Sequence, residues 1–206
     1  LASLEEGASL EQLRKDVVFR KFDDEVLRGK HGDPKDAARS GVVQFKQLLE
    51  RKPDDVDLAY GLAYCHYVLG QLDHAEPLLL RVIGEKPEHA DALTLLGLIA
   101  MKRERPDQQL AYYERAVRAD PKHVLANTNL ASLYQDKGDF HAARPLLLRA
   151  IEAAPQDDPH LPIALDLLGN SYGTIEHDYE REAELHQQAI ALDPKRPMFR
   201  GNLVVA

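Results

Sequence analysis

The sequence predicts an all-α fold of antiparallel helix-turn-helix hairpins repeated along the chain, and three observations predict it. Prolines stand at Pro53, Pro87, Pro121, Pro155 and Pro194, with successive separations of 34, 34, 34 and 39 residues. Leucines at Leu62, Leu96, Leu130 and Leu168 keep the same clock, and each of the first three lies 25 residues before its proline. No alternation of period two persists, which removes sheet architectures. A fixed period of this size marks stacked supersecondary units that bury their apolar faces against one another.

Taken in order, Ser9 to Arg28 reads as one long helix. Ser9 and Gln12 form a capping-box pattern, and Leu10, Leu13, Val17, Phe22 and Val26 make an apolar side. Gly29 and Gly32 end it, so residues 1–33 form an N-terminal helix and connector. Asp33-Pro34 is a strong helix start, with Asp as N-cap and Pro at the first helical position. That helix runs to about Arg51, and residues 34–55 read as the second helix of a degenerate first repeat, with Phe45, Leu48 and Pro53 in register. Full units follow at 56–89, 90–123, 124–157 and 162–196.

Inside each unit the turns separate a helix A from a helix B. Gly70 and Gly138 fall at helix ends where positive φ is wanted, and Arg105-Pro106-Asp107 is expected to supply a different turn in the second unit. A mid-helix proline costs about 3 kcal/mol and a first-turn proline little, so Pro77 and Pro145 are expected in the first turn of helix B. Asp158 to Leu161 is an insertion before the last unit, whose internal turn also gains one residue. Pro197 to Ala206 reads as a partial C-terminal helix resembling the opening of another helix A, with Leu203 at the repeat leucine. Small residues follow the repeat leucines (Ala63, Gly97, Ala131, Gly169), which lets the two helices of a hairpin approach closely.

These positions resemble the tetratricopeptide repeat, whose pattern runs Leu-Gly, Tyr, Ala, an aromatic and Pro. The unit 124–157 carries Leu130-Ala131, Tyr134, Gly138-Asp139-Phe140, Ala143, Leu147, Ala150 and Pro155. His66 and Ala100 depart from the family tyrosine, Gln109 and Glu182 from the first helix-B alanine, and the chain has no Trp. The resemblance implies an α-solenoid, a right-handed superhelix whose helices A line a concave groove that binds peptides.

At about 100° per residue, the core stripe of the first full helix A runs through Ala59, Leu62 and His66, and Tyr60, Tyr64 and Tyr67 project to the opposite side. Equivalent places hold Thr94, Leu98 and Met101 with Leu95 beside them, then Thr128, Ser132 and Gln135 flanked by Leu125 and Asn129, then Asp166, Asn170 and Gly173. The expected groove is aromatic and apolar at its N-terminal half and polar at its C-terminal half. A ligand segment would set apolar side chains on Tyr60, Tyr64, Tyr67, Leu95, Leu98 and Met101, while Asn129 and Asn170 bond its backbone. Tyr gives rigid contact area and a hydroxyl at low entropy cost. The competing expectation is that the N-terminal helix folds across these tyrosines. One subclass of the family grips the C-terminal carboxylate of chaperones with Lys, Asn, Asn, Lys and Arg; the corresponding positions here are Tyr60, Tyr64, Leu95, Leu125 and Asn129, which supply no cation.

Composition narrows the function further. With 206 residues, 26 Lys+Arg against 34 Asp+Glu and net charge -8, the chain has length for a real core and the wrong sign for a phosphate backbone, so nucleic acid is not an expected partner. Its longest apolar runs fall far short of the ~20 residues of a membrane helix, so membrane insertion is not expected. The start Leu1-Ala2-Ser3 shows no signal peptide. The single cysteine, Cys65, excludes a disulfide framework and favours a reducing compartment without fixing it; localisation is left open, with the cytoplasm the preferred expectation, and the place of Cys65 on the inward side of helix A makes it a small core residue. No phosphate-binding glycine loop, G-x-S-x-G or H-E-x-x-H occurs, and the nine histidines are dispersed, with His89 and His123 as helix-start polarity. No catalytic residue, metal site or cofactor is therefore expected. The expected function is a non-catalytic protein–protein interaction scaffold or adaptor that takes a protein or peptide segment with apolar residues. The rival readings are an interaction or dimerisation arm of a larger enzyme, and a self-assembling repeat that forms homo-oligomers through exposed solenoid ends.

Overall fold

The computed structural model describes residues 33–196. The helix expected over residues 9–28 and the partial helix expected over 197–206 lie outside them. Among the described residues the chain is all-α, and it divides at Pro87–Glu88 into two compact units.

The first unit contains α1 (Pro34–Arg51), α2 (Val56–Val68) and α3 (Leu72–Glu85). The side chain of Asp33 accepts the Lys35 N–H at 2.9 Å, which is the cap the Asp-Pro pair predicts. Phe45 on α1 fits because Gly61 on α2 has no side chain: a Cβ there would stand 2.5 Å from the ring. Ala38, Phe45, Leu58, Leu62 and Cys65 form this unit's apolar centre.

The second unit contains three hairpins, α4 (Ala90–Lys102) with α5 (Pro106–Ala119), α6 (Val124–Asp136) with α7 (Phe140–Ala153), and α8 (Leu161–Glu176) with α9 (Tyr179–Leu192). Each helix packs on the next, and the helices A also touch in a row, α4 on α6 and α6 on α8. This is the solenoid arrangement within the unit, and stability follows from neighbour contacts.

One volume rule governs the inside of every hairpin. Gly97 faces the ring of Tyr113, where an added Cβ would lie 2.3 Å from the ring edge, and Gly169 faces His186 at 3.2 Å. At the same repeat positions Ala63 goes with Leu79 and Ala131 with Leu147, all buried. Bare glycine faces the rings and alanine shares the repeat level of leucine, so a bulkier residue on helix B goes with a smaller one on helix A, as a close-packed interior requires.

Two expectations about the turns need correction. The second-unit turn is not a different one: Glu104 takes the left-handed conformation (φ 56°) at the position held by Gly70 and Gly138 (φ 74° and 79°). In all three, an N–H returns to the carbonyl five residues back, Gln71 to His66, Arg105 to Ala100 and Asp139 to Tyr134, at 2.8–2.9 Å. Because this turn is so tight, helix B begins at once, and Pro77 and Pro145 fall at its sixth position, in the second turn rather than the first. Each removes a bond to the carbonyl four residues earlier, on Asp73 or His141. Both prolines and both of those residues lie on the exposed side, where water serves the carbonyl.

In the last hairpin the additional residue lengthens α8 rather than loosening the turn. The helix runs to Glu176, and His177 then takes the left-handed cap (φ 55°).

Candidate functional site

Side-chain N-caps set the starts of α2, α4 and α6. Asp55 accepts from Asp57 and Leu58 N–H groups. His89 and His123 do the same work with Nδ1, accepting from Ala92 at 3.2 Å and Ala126 at 3.1 Å. The Nε2 of His123 reaches Asp91 Oδ1 at 2.9 Å, tying the first turn of α4 to the start of α6. Burial alone would raise the Asp91 carboxyl, but the His123 hydrogen bond and charge hold it below the ordinary carboxylate value. Helix-start polarity is thus what these two histidines provide.

In the first unit, Ala59, Leu62 and His66 are buried as the core stripe requires. His66 meets Gln71 Oε1 through Nδ1 at 2.7 Å, and burial lowers its pKa below 6.5. Cys65 is buried too, and burial pushes its thiol up to about 12, which removes it as a nucleophile at neutral pH.

The tyrosines do not simply project away from the interior. Tyr60, Tyr64 and Tyr67 are half-buried, Tyr60 and Tyr64 lie with ring centroids 6.3 Å apart, and Tyr64 packs against the unit's apolar centre. Burial raises the Tyr67 phenol above its usual value. The cause is that α2 buries residues around most of its circumference, Leu58, Gly61, Ala63 and Cys65 as well as the expected stripe.

In the second unit the anticipated ligand-side positions separate into two groups. Leu95 is 3% exposed, so it is a packing residue and not a contact surface. The first residue of each trio also turns inward: Thr94 and Thr128 are buried with hydroxyls donating back to Ala90 O and Val124 O, and Asp166 is buried against His186. Gly173 is buried under Glu182, whose carboxylate would clash with any Cβ there. Gln135 is spent on a bridge, its amide donating to Leu167 O at 2.7 Å and Ser171 Oγ at 2.8 Å.

The second group keeps surface. Met101 is 47% exposed, and Leu98, Asn129, Ser132 and Asn170 are half-buried. Leu98 also packs on the core formed with Tyr113 and Leu130. The amide nitrogen of Asn129 is buried and meets no acceptor among the described residues. An unpartnered buried donor costs about 1–3 kcal/mol.

Sequence reasoning missed two side-chain groupings. Arg144 and Arg181 each stack on the ring of Tyr172, 4.2 and 4.4 Å from its centroid, and Arg144 also donates to Glu176 at 2.6 Å. His186 pairs with Asp166 across the last hairpin at 2.8 Å. A signal existed for the second: Leu79, Tyr113, Leu147 and His186 keep the spacing of the repeat prolines, so a histidine stands where the other units bury an apolar side chain.

Among the described residues no group of three or more His, Cys, Asp or Glu could hold a metal ion, and no helix is long and apolar enough to cross a membrane.

Comparisons place the hairpins in a family. Part of the chain is 29% identical over 89 residues to a probable biofilm formation methyltransferase, WspC, of Pseudomonas putida; the match takes in 43% of this chain and 21% of that protein. Solved structures share the fold at low identity. A thermophilic TPR protein of Thermus thermophilus aligns with TM-score 0.64 and 19% identity, over 90% of this chain and 95% of the other. YrrB, described as a TPR protein with an unusual peptide-binding site, aligns with TM-score 0.57 and 17% identity over 98% of both chains. The family model for the tetratricopeptide repeat matches residues 30–99 and 100–161, and the chain belongs to that family.

Proposed function

We propose that this chain is a non-catalytic interaction scaffold whose second unit takes a protein segment along the exposed side of its helices A. The observation that carries the proposal is the Asn129 amide nitrogen, a buried donor without an acceptor among the described residues. Turning the half-buried Asn129 side chain outward would let this amide meet a carbonyl on a ligand backbone, and Asn170 offers a second amide on α8. Leu98 and Met101 supply apolar surface on α4, which fits a segment with apolar side chains. The aromatic side of α2, with Tyr60, Tyr64 and Tyr67, belongs to the same proposal within the first unit. A peptide-binding site in a protein of the same fold agrees with this reading.

The test uses a phage-displayed random peptide library panned against the chain. Enriched peptides should contain apolar residues, and Met101→Ala with Asn129→Ala should weaken their capture by about tenfold or more. The thermal midpoint should not fall, because Met101 is half exposed and Asn129→Ala removes an unpartnered donor whose burial is itself a cost. Undiminished capture by the double variant contradicts the assignment.

A second reading follows from the methyltransferase relative: these repeats serve as the interaction arm of a larger enzyme. The complete reading frame discriminates. A catalytic domain in it supports the arm, and further repeats or an immediate stop support the scaffold.

A further inference from the structure

The interior of the last hairpin differs from the others in kind. Where α3, α5 and α7 bury Leu79, Tyr113 and Leu147, α9 buries His186, 1% exposed. The ring has a carboxylate near each nitrogen: Nδ1 hydrogen-bonds Asp166 Oδ1 on α8 at 2.8 Å, and Nε2, buried without a hydrogen-bond partner among the described residues, stands at ion-pair distance, 3.6 Å, from Glu182 Oε1 one turn earlier on α9. Side-chain exposure of the His–Asp pair is only 2% and 4%. The backbone makes room for the arrangement, since Gly169 accepts the ring and Gly173 accepts the Glu182 carboxylate, which would lie 2.1 Å from a Cβ.

A neutral imidazole suits this site poorly. If Nδ1 carries the only proton and donates to Asp166, the Nε2 lone pair faces the Glu182 carboxylate; the other tautomer turns a lone pair on Asp166. Only the imidazolium presents a proton to both sides. Of the helices packed on this hairpin, α7 meets it through Ile151, with Ala154 just past its end, and turns its Arg144 to Glu176 and the Tyr172 ring, while α6 contributes the neutral Gln135 amide to Leu167 O and Ser171 Oγ.

We propose that the α8–α9 hairpin carries a proton-dependent lock, in which the His186 imidazolium is held between Asp166 and Glu182 and loss of its proton lets this hairpin open locally. The Asp166 hydrogen bond raises the histidine above its ordinary 6.5, burial opposes it, and the charges of Asp166 and Glu182 add to the rise. For a group raised on folding, the stabilisation is complete below the unfolded value and disappears as pH climbs through the folded one. The lock therefore weakens above neutrality, the reverse of acid unfolding. Opening of one hairpin without the rest is the expected mode in a repeat array, where each unit is held by its neighbours alone.

The experiment is a pH titration of the whole chain by NMR, following the His186 ring and amide exchange along α8 and α9, corrected for intrinsic rates. The ring midpoint should lie above that of the urea-unfolded chain, and α8–α9 amides should lose protection across it. Asp166→Thr with His186→Leu installs the residues that unit 124–157 uses, Thr128 and Leu147, and should abolish that loss. Glu182→Gln, which leaves the hairpin interior filled, should lower the midpoint while keeping the fold. A midpoint at or below the unfolded value, no response to Glu182→Gln, or the same loss of protection in the double variant overturns the proposal.

Discussion

Gly97 and Tyr113 show how a single position decides the spacing of two helices. The ring lies where a Cβ would be, 2.3 Å from its nearest atom, and the tyrosine is 1% exposed, so neither partner can yield freely. Overpacking at such a site costs typically about 1–3 kcal/mol. Gly97→Ala should therefore lower the urea midpoint of unfolding by that order, although alanine occupies the equivalent places Ala63 and Ala131 without harm. A variant as stable as the wild type would show that the ring shifts and that the volume rule is not what holds the hairpin. The sequence made the small residue legible, because Ala63, Gly97, Ala131 and Gly169 follow the repeat leucines. Its partner was not legible, since pairing Tyr113 with Gly97 needs the register of helix B, which depends on where that helix starts.

At the level of elements, the turn between helices A and B is the feature sequence reasoning described least well. Glycine at Gly70 and Gly138 signalled a left-handed residue, but Glu104, 34 residues from each, adopts the same conformation without that signal. Tertiary packing of α4 on α5 imposes the turn over the residue's own preference. A non-glycine residue there costs about 1–2 kcal/mol, against about 0.5–1 kcal/mol of backbone entropy lost by glycine. Glu104→Gly should thus stabilise the chain by about 0.5–1 kcal/mol, read as a raised midpoint at unchanged slope in urea; a lowered midpoint would place the strain elsewhere. Pro77 and Pro145 lie one helical turn later in helix B than expected, because the hairpins closed by Gly70 and Gly138 start that helix sooner than a looser connection would allow.

For the molecule as a whole, the 34-residue clock gave the helices and their hairpin pairing, since periodic small and large apolar positions leave few other ways to bury them. It could not say which positions on the ligand side keep a surface. A helix A touched by other helices on several sides buries more than one stripe, which is why Leu95, Thr94, Thr128, Asp166 and Gly173 turn inward while Met101, Asn129 and Asn170 do not. His186 escaped for a related reason: a polar residue in an apolar register announces a partner without naming it, and Asp166 had been placed on the ligand side. The measurement that bears most directly on the interaction role is a titration of the isotope-labelled chain with a library-derived peptide, following the Asn129 side-chain amide and the Met101 methyl. Saturating shifts at both, with the outward residues Leu80 and Leu148 of the helices B unmoved, are the predicted result. Shifts confined to the helices B, or none at saturating peptide, would contradict it.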